Sequence, residues 1–290
     1  MNAIALGVPR LSTLLRLGRV SNLPTVWTNV VAGSVIAGGY DKPDRMAMTA
    51  LAMTAFYVGG MYLNDFFDRE VDARERPGRP IHAGEINAGT VAAIGFALLA
   101  AGVLLMAPFG LLPLLLGLVL AGLIVLYDVW HKGNPLSPLI MGACRALVYL
   151  GAGAVVAGQI SIPLAIAALV LASHVAGLTF AAKRENLDGV EHLWPLLLLA
   201  LPLIMAFPAE ELPDAIAFAL LLGADGFAVS LLVRRPAPGA VIRAVSTLIA
   251  AICLVDAVAV AAAGGGVLLV LACAAGFALT RLLQTSIPGT

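Results

Sequence analysis

The stretch that decides the fold runs from Met46 to Asp72 and reads MAMTALAMTAFYVGGMYLNDFFDREVD. Its first part, residues 46–63, has no charged side chain and is long enough to cross a bilayer as a helix. If the helix continues, four oxygen-bearing side chains share one face at about 0°, 40°, 80° and 100°, namely Asn64, Asp68, Asp72 and Asp65. Carboxylate and amide oxygens suit a hard divalent cation such as Mg²⁺. The stretch therefore predicts a metal site at a membrane edge.

The composition indicates a membrane protein. Of the 290 residues, 61% are hydrophobic and 12% are charged, whereas soluble domains have about 25% charged residues. Apolar stretches that could form membrane helices lie near 20–37, 46–63, 90–107, 111–130, 138–157, 162–181, 194–207, 213–233, 240–262 and 265–284. They predict an all-α integral membrane protein, one polytopic domain over residues 1–290. We expect nine to ten transmembrane helices, because 194–207 is short and contains Pro195 and Pro202.

The basic residues predict the orientation of the chain. With ten crossings, thirteen Lys and Arg residues fall on the side of the N-terminus and only Lys42 and Arg45 on the other. This asymmetry predicts a cytoplasmic N-terminus and cytoplasmic motif loops, about 64–89 and 182–193, in a multi-pass protein of the cell (inner) membrane. The net charge is +0 and the chain has no basic arm. The expected partner is therefore the lipid bilayer, not nucleic acid.

Guanidinium groups follow the acidic residues directly, at Arg74, Arg76 and Arg79. Carboxylates with Mg²⁺ can neutralise diphosphate oxygens, and Arg side chains add bidentate donors. Together they predict a site that stabilises a departing pyrophosphate. The alternative is a solvated loop whose charges only set the membrane topology.

The pattern N-D-x-x-D-x-x-x-D followed by Arg-Pro resembles the first aspartate-rich motif of the UbiA superfamily of intramembrane prenyltransferases. Asn64, Asp65, Asp68 and Asp72 match it position for position. The resemblance implies an all-helical bundle, usually of nine spans, in which these residues bind Mg²⁺ and the diphosphate of an isoprenyl donor. It extends over most of the chain, including Arg19 through Asn29 and Tyr127-Asp128 with Lys132.

The same resemblance implies that Asn29 hydrogen-bonds the diphosphate and that Tyr127 lines the reacting centre. From the residues alone, the alternative is an interhelical hydrogen bond, which is the more frequent role of a lone Asn in a membrane helix. Diphosphate donors on this interpretation are Arg76, Arg79, Lys132 and Lys183.

A second motif, D-x-x-x-D, usually ends the sixth span of the superfamily, and this chain departs from it. Residues 183–192 read KRENLDGVEH. Carboxylates recur here every three residues and are candidates for a second Mg²⁺: Glu185, Asp188 and Glu191. Lys183 or Arg184 could take phosphate charge directly, or the segment is an ordinary charged loop. With Met141-Gly142-Ala143-Cys144-Arg145, the departure resembles a divergent, EboC-like branch of the superfamily.

Ionisable residues also lie inside predicted helices. Arg145 and Asp225 both fall roughly 10–12 Å from the cytoplasmic end of their spans. They could form a structural ion pair, or Arg145 could point into a cavity and orient the acceptor or the diphosphate. Asp256 lies deeper, and the sequence reveals no partner for it.

The predicted activity is Mg²⁺-dependent transfer of an isoprenyl group from an isoprenyl diphosphate to a lipophilic or aromatic acceptor within the membrane. Such an enzyme is a transferase of alkyl or aryl groups other than methyl. The alternative is a non-catalytic UbiA-like carrier or transporter of a lipophilic or prenylated metabolite, which would bind the diphosphate without turnover.

Overall fold

The computed structural model describes residues 9–183, 194–205, 211–234 and 237–289. Regular structure in these ranges is entirely helical, which confirms the predicted fold class. The α-helices are α1 (Leu11–Leu17), α2 (Leu23–Ile36), α3 (Pro43–Phe67), α4 (Arg69–Glu75), α5 (Ala88–Met106), α6 (Leu111–Trp130), α7 (Ser137–Ala157), α8 (Ile162–Ala182), α9 (Ala200–Met205), α10 (Leu212–Arg234), α11 (Ala240–Ala262) and α12 (Val267–Leu283). Short 3₁₀ helices span Val20–Asn22, Ala107–Phe109 and Trp194–Leu199.

The long helices identify a multi-pass membrane protein. In the described part of the chain, 7 helices are long and apolar enough to cross a membrane, namely α3, α5, α6, α7, α8, α10 and α11. Helices α2 and α12 are shorter, with 14 and 17 residues. The number of crossings, nine or ten, therefore stays a prediction.

The described part of the segment predicted at 194–207, residues 194–205, forms two short helices. A 3₁₀ helix, Trp194–Leu199, leads into α9, which ends at Met205. Pro202 lacks a backbone N–H and so removes one hydrogen bond of the helical ladder, whereas Pro195 lies in the first turn, where a proline is tolerated. The apolar helix here is shorter than the roughly 20 residues that a straight crossing needs.

Two large hydrophobic clusters share α2 and α7. Ala32 and Tyr149 belong to the cluster that includes α8, α10, α11 and α12. Val26 and Val148 belong to the cluster that includes α3, α5 and α6. Helices α2 and α7 also pack against each other, so they form the seam between the two halves of the bundle.

A third, smaller cluster joins α1 to the beginning of α5 and the end of α3. It contains Leu17, Tyr62, Ile86 and Val91. The Tyr62 hydroxyl donates to the carbonyl oxygen of Leu14 at 3.1 Å. This cluster holds the turns of residues 76–87 beside the end of α3, where the acidic motif begins.

Glycines allow α3 and α5 to approach closely. A Cβ atom at Gly59 would lie 2.9 Å from the carbonyl oxygen of Gly95, and one at Gly95 would lie 2.7 Å from Leu63 Cγ. Real Cβ atoms avoid such distances. Small residues at helix contacts are typical of membrane bundles, and here they fix the helix that carries the motif.

Candidate functional site

The acidic motif lies where α3 passes into α4. Helix α3 ends at Phe67, and Asp68 separates it from α4 with φ −78° and ψ −7°. The helix is thus interrupted at Asp68, whereas the sequence interpretation assumed a continuous one. All four motif side chains are buried, and three of them line one cavity: Asn64, Asp68 and Asp72.

Arg79 connects two of the motif carboxylates. Its Nη1 donates to Asp65 Oδ1 at 2.6 Å and to Asp72 Oδ2 at 3.0 Å. Burial and the nearby Arg19 lower the pKa of Arg79, and Asp65 and Asp72 oppose that shift. The turns of residues 76–87 bring this guanidinium back over the motif, so a contact between residues 14 positions apart closes the site.

Asp68 faces the end of α6. Lys132 Nζ lies 3.0 Å from Asp68 Oδ1, and His131 Nε2 lies 3.5 Å from Asp68 Oδ2. The His131 ring stacks on Tyr127, with ring centroids 5.0 Å apart. Lys132 and Tyr127 were predicted from the sequence, whereas His131 was not, although it lies directly beside Lys132 in the chain.

Arg19 is a second residue of the site that was not predicted from the sequence. Its Nη2 donates to Asn64 Oδ1 at 3.3 Å and to Asp65 Oδ1 at 3.4 Å. Its backbone is left-handed, with φ 41°, which no other described non-glycine residue shares. Residues other than glycine rarely adopt this backbone conformation, and such backbone strain often occurs at functional sites.

Asp128 was also missed as a site residue. It is buried, and its Oδ1 accepts a hydrogen bond from Asn64 Nδ2 at 3.3 Å. Its Oδ2 has no hydrogen-bond partner among the described residues. A carboxylate near the end of an apolar helix was the signal that could have identified it.

Most of these residues line a cavity of about 320 Å³, here called the charged cavity, whereas Asp65 and Asp128 do not. One part of its wall carries charged side chains that include Arg19, Asp68, Asp72, Arg76, Arg79, Lys132, Arg145 and Lys183. Another part is apolar and belongs to α8 and α11, with Val175, Leu178, Val245, Ile249 and Ile252. The cavity thus combines charged and apolar surface.

A smaller space of about 80 Å³, here called the apolar chamber, adjoins the charged cavity. Five residues line both spaces: Tyr57, Met61, Tyr127, Met141 and Arg145. The chamber continues between Met53, Phe56, Leu120 and Val148. An amphipathic ligand could therefore place a charged head in the charged cavity and an apolar chain in the chamber.

Arg145 is held at this junction by α2. Its Nη1 donates to Asn29 Oδ1 at 2.8 Å, and its Nη2 donates to Thr25 Oγ1 at 3.1 Å. Asn29 Nδ2 contacts both carboxylate oxygens of Asp256, at 2.8 and 2.9 Å. The Tyr149 hydroxyl donates to Asp256 Oδ1 at 2.6 Å. Asp256 thus has partners, and Asn29 is buried between helices and is not among the residues that line either space.

Arg145 and Asp225 do not form the ion pair that was one of the two alternatives for Arg145. Asp225 Oδ2 lies 3.8 Å from His174 Nδ1, and Arg145 bonds to α2 instead. His174 Nε2 donates to the carbonyl oxygen of Leu248 at 3.2 Å. The pair connects α8, α10 and α11 and does not line the charged cavity.

Lys183 lies at the end of α8, where the second motif was expected. Its Nζ donates to the carbonyl oxygen of Asn134 at 2.5 Å, and burial lowers the pKa of the ammonium group. The remaining predicted residues of this segment lie outside the described ranges: Arg184, Glu185, Asp188 and Glu191.

The donor set of the first motif fits a hard divalent cation chemically. Within the described ranges, no three or more His, Cys, Asp and Glu side chains form a group that could hold a metal ion. However, Asp65 and Asp72 both contact the same Arg79 nitrogen, so the two carboxylates already flank one positive group. Oxygen ligands of this kind are the ones that Mg²⁺ prefers.

A family model supports the assignment that the motif suggested. The model described as the UbiA prenyltransferase family matches residues 25–245. The chain belongs to the UbiA prenyltransferase family. The match includes the whole acidic motif and the residues of α6 and α7 that line the charged cavity, and it supports prenyl transfer as the general activity. No curated protein matches this UbiA-family sequence significantly.

Solved structures share the UbiA fold with this chain. A structure concerning digeranylgeranylglyceryl phosphate synthase in membranes matches with a TM-score of 0.63 and 22% identity, over 87% of this chain and 98% of the other. A UbiA homologue from Aeropyrum pernix K1 matches with a TM-score of 0.64 and 15% identity, over 84% and 97%. A UbiA homologue from Archaeoglobus fulgidus, bound to GPP and Mg²⁺, matches with a TM-score of 0.60 and 15% identity, over 93% and 99%. The EboC-like branch stays a prediction.

Proposed function

We propose that this UbiA-family protein transfers an isoprenyl group from an isoprenyl diphosphate to a lipophilic or aromatic acceptor within the membrane, with Mg²⁺ as cofactor. The observation that supports the proposal most is the junction of two spaces. The charged cavity suits a diphosphate and the adjoining apolar chamber suits an isoprenyl chain. The homologue bound to GPP and Mg²⁺ adds support, since its ligands combine the same chemistry.

The first motif would hold the metal, through Asn64, Asp65, Asp68 and Asp72. When bound, Mg²⁺ would neutralise diphosphate oxygens and make pyrophosphate a better leaving group. The diphosphate donors in this proposal are Arg76, Arg79, Lys132, Lys183 and Arg184. A second metal would take carboxylates from Glu185, Asp188 and Glu191.

The reaction breaks the bond between the first isoprenyl carbon and the diphosphate oxygen, and pyrophosphate keeps the electron pair. Basic side chains around the charged cavity would stabilise that charge. Tyr57 and Tyr127 flank the junction with the apolar chamber, where apolar side chains exclude water from the allylic carbon. The acceptor then bonds to this carbon and gives up a proton.

Arg145 would orient the acceptor or the diphosphate from the junction. Its role requires a fixed side chain, and Asn29 and Thr25 supply the contacts. We therefore assign Asn29 a supporting role behind Arg145, in place of direct contact with the diphosphate.

The proposed orientation places the charged cavity at the cytoplasmic face of the cell (inner) membrane, with the N-terminus on the same side. Basic residues that the charge count assigned to this side line the cavity together, among them Arg19, Arg79 and Lys183. Lys42 and Arg45 lie at the other end of the bundle, where they donate to carbonyl oxygens at the end of α7.

The test compares Asp72→Ala with Glu70→Ala in purified protein in lipid nanodiscs. Asp72 is buried in the site, whereas the Glu70 side chain, two residues away, is 84% exposed. We expect Asp72→Ala to reduce Mg²⁺-dependent release of pyrophosphate from a labelled isoprenyl diphosphate by roughly a hundredfold or more. Glu70→Ala should retain the wild-type rate.

The carrier remains the alternative that this assay separates. Wild-type protein that binds the isoprenyl diphosphate but releases no pyrophosphate with any lipophilic or aromatic acceptor would favour a carrier. Equal rates for the two variants would contradict the placement of the metal on the first motif.

A further inference from the structure

The segment that follows α12 lies against the charged cavity and contacts Asn22. Gln284 Nε2 donates to Asn22 Oδ1 at 3.1 Å. Asn22 Nδ2 in turn donates to the carbonyl oxygen of Gly289 at 2.9 Å. Asn22 and Gly289 are both buried, and both line the charged cavity. The amide of Asn22 therefore has both of its polar atoms bonded to residues 284–289.

Gln284 is itself fixed by neighbouring helices. Arg281 Nη1 donates to Gln284 Oε1 at 2.8 Å, and Gln284 Nε2 also lies 3.3 Å from the carbonyl oxygen of Ser246. Gly289 fits tightly beside it, because a Cβ atom there would lie 2.7 Å from Asn22 Oδ1. The contact between Asn22 and this segment thus combines close packing at Gly289 with hydrogen bonds to Gln284 and Gly289.

Asn22 ends the short 3₁₀ helix that begins after Arg19, the residue with the left-handed backbone. A backbone of this kind persists only where its surroundings hold it. The backbone N–H of Asn22 donates to the carbonyl oxygen of Arg19 at 3.0 Å, and the Tyr57 hydroxyl donates to the same oxygen at 3.3 Å. The guanidinium of Arg19 then reaches Asn64 and Asp65.

We infer that Gln284 and Gly289 are positioning residues for the donor site. They hold Asn22, Asn22 holds the strained turn, and the turn places the Arg19 guanidinium beside Asn64 and Asp65. The inference rests on the proposed function, because the diphosphate of the donor is the group that Arg19 meets in the charged cavity.

The test measures binding of an isoprenyl thiolodiphosphate with Mg²⁺ to full-length protein in nanodiscs. Gln284→Ala removes both contacts of Nε2, and we expect it to weaken binding roughly tenfold. In an Arg19→Gln background the same substitution should have no further effect, because the residue that it positions is gone. Ser286→Ala, an exposed position in the same segment, should bind like wild type.

A purely structural role would give a different result. Additive losses from Gln284→Ala and Arg19→Gln, or equal binding by Gln284→Ala and Ser286→Ala, would overturn the inference. Hydrogen exchange of the backbone amides of residues 19–22 provides a second measurement that needs no ligand. Exchange should be faster in Gln284→Ala than in Ser286→Ala, and equal exchange would refute the inference. Wild-type protein that binds no isoprenyl thiolodiphosphate would refute the proposed function, while the exchange result would still decide this inference.

Discussion

Replacing Arg79 by Lys separates two roles that its guanidinium combines. Both carboxylate contacts, to Asp65 at 2.6 Å and to Asp72 at 3.0 Å, use the single nitrogen Nη1. A lysine ammonium can occupy a similar position and keep both contacts, since it is a compact charge with three donors. It cannot replace Nη2 and Nε, for which the structure shows no acceptor among the described residues and which would bind the diphosphate in the proposed function.

The expected magnitude follows from the hydrogen bond that Arg79→Lys loses. A hydrogen bond between charged groups contributes about 1.5–3 kcal/mol. The Arg79 side chain is 16% exposed, so water screens it only in part. Since about 1.4 kcal/mol corresponds to a tenfold change, Arg79→Lys should weaken donor binding by roughly 10-fold to 150-fold. Arg79→Gln should also lower the melting temperature, because it leaves Asp65 and Asp72 without their shared cation.

The assay is calorimetric titration of nanodisc-embedded protein with an isoprenyl thiolodiphosphate in the presence of Mg²⁺. Thermal unfolding of wild type, Arg79→Lys and Arg79→Gln is measured on the same preparations. Arg79→Lys should unfold close to the wild-type temperature yet bind the donor weakly. Binding at the wild-type affinity by Arg79→Lys, or unfolding as early as Arg79→Gln, would refute the separation of roles.

Two further predictions concern the surroundings of the site. Glu85 accepts hydrogen bonds from Arg16 and Thr13 of α1, and these bonds lower the pKa of its carboxyl group. The stability that this contact contributes is therefore fully present above the ordinary pKa of Glu and is lost as the pH falls through the lowered pKa. At pH 7, Glu85→Gln should therefore lower the melting temperature by a few degrees at most, and at a pH below the lowered pKa it should leave the melting temperature unchanged. A difference in melting temperature from wild type that is the same at both pH values would contradict this. Asn29→Leu removes the bonds to Arg145 and Asp256 and should lower both the melting temperature and, by roughly tenfold or more, donor affinity. Tyr149→Phe keeps the Arg145 contact and should lower only the melting temperature, so equal donor affinities in the two variants would exclude a role for Asn29 behind Arg145.

Residues that are close in sequence allowed the best predictions. Apolar runs located the helices, because a helix that crosses a bilayer needs about 20 consecutive apolar residues. The motif from Asn64 to Asp72 could be recognised because its side chains lie within three turns of chain. Even there, the break at Asp68 was not predictable, since no proline or glycine marks it.

Contacts between distant helices were not predictable in the same way. Depth in the membrane is one coordinate, and it placed Arg145 level with Asp225. The partner of Arg145 is instead decided by which helices are neighbours, and α7 packs against α2. At that contact a Cβ atom on Gly33 would lie 2.7 Å from the carbonyl oxygen of Tyr149, so the two backbones nearly touch. This proximity brings Asn29 between Arg145 and Asp256.

The pairing of charges in the site restricts the kind of ligand that it can accept. Asp65 and Asp72 share Arg79, and Asp68 contacts Lys132, so each of these three carboxylates has a cationic partner. An anion alone would draw the cations away and leave carboxylates unpaired in a poorly solvated space, which is costly. A diphosphate that arrives with a divalent cation brings both signs, so each protein charge can exchange one partner for another. In the proposed function, the pairing of these three carboxylates with cations therefore favours the metal–diphosphate pair over either component alone.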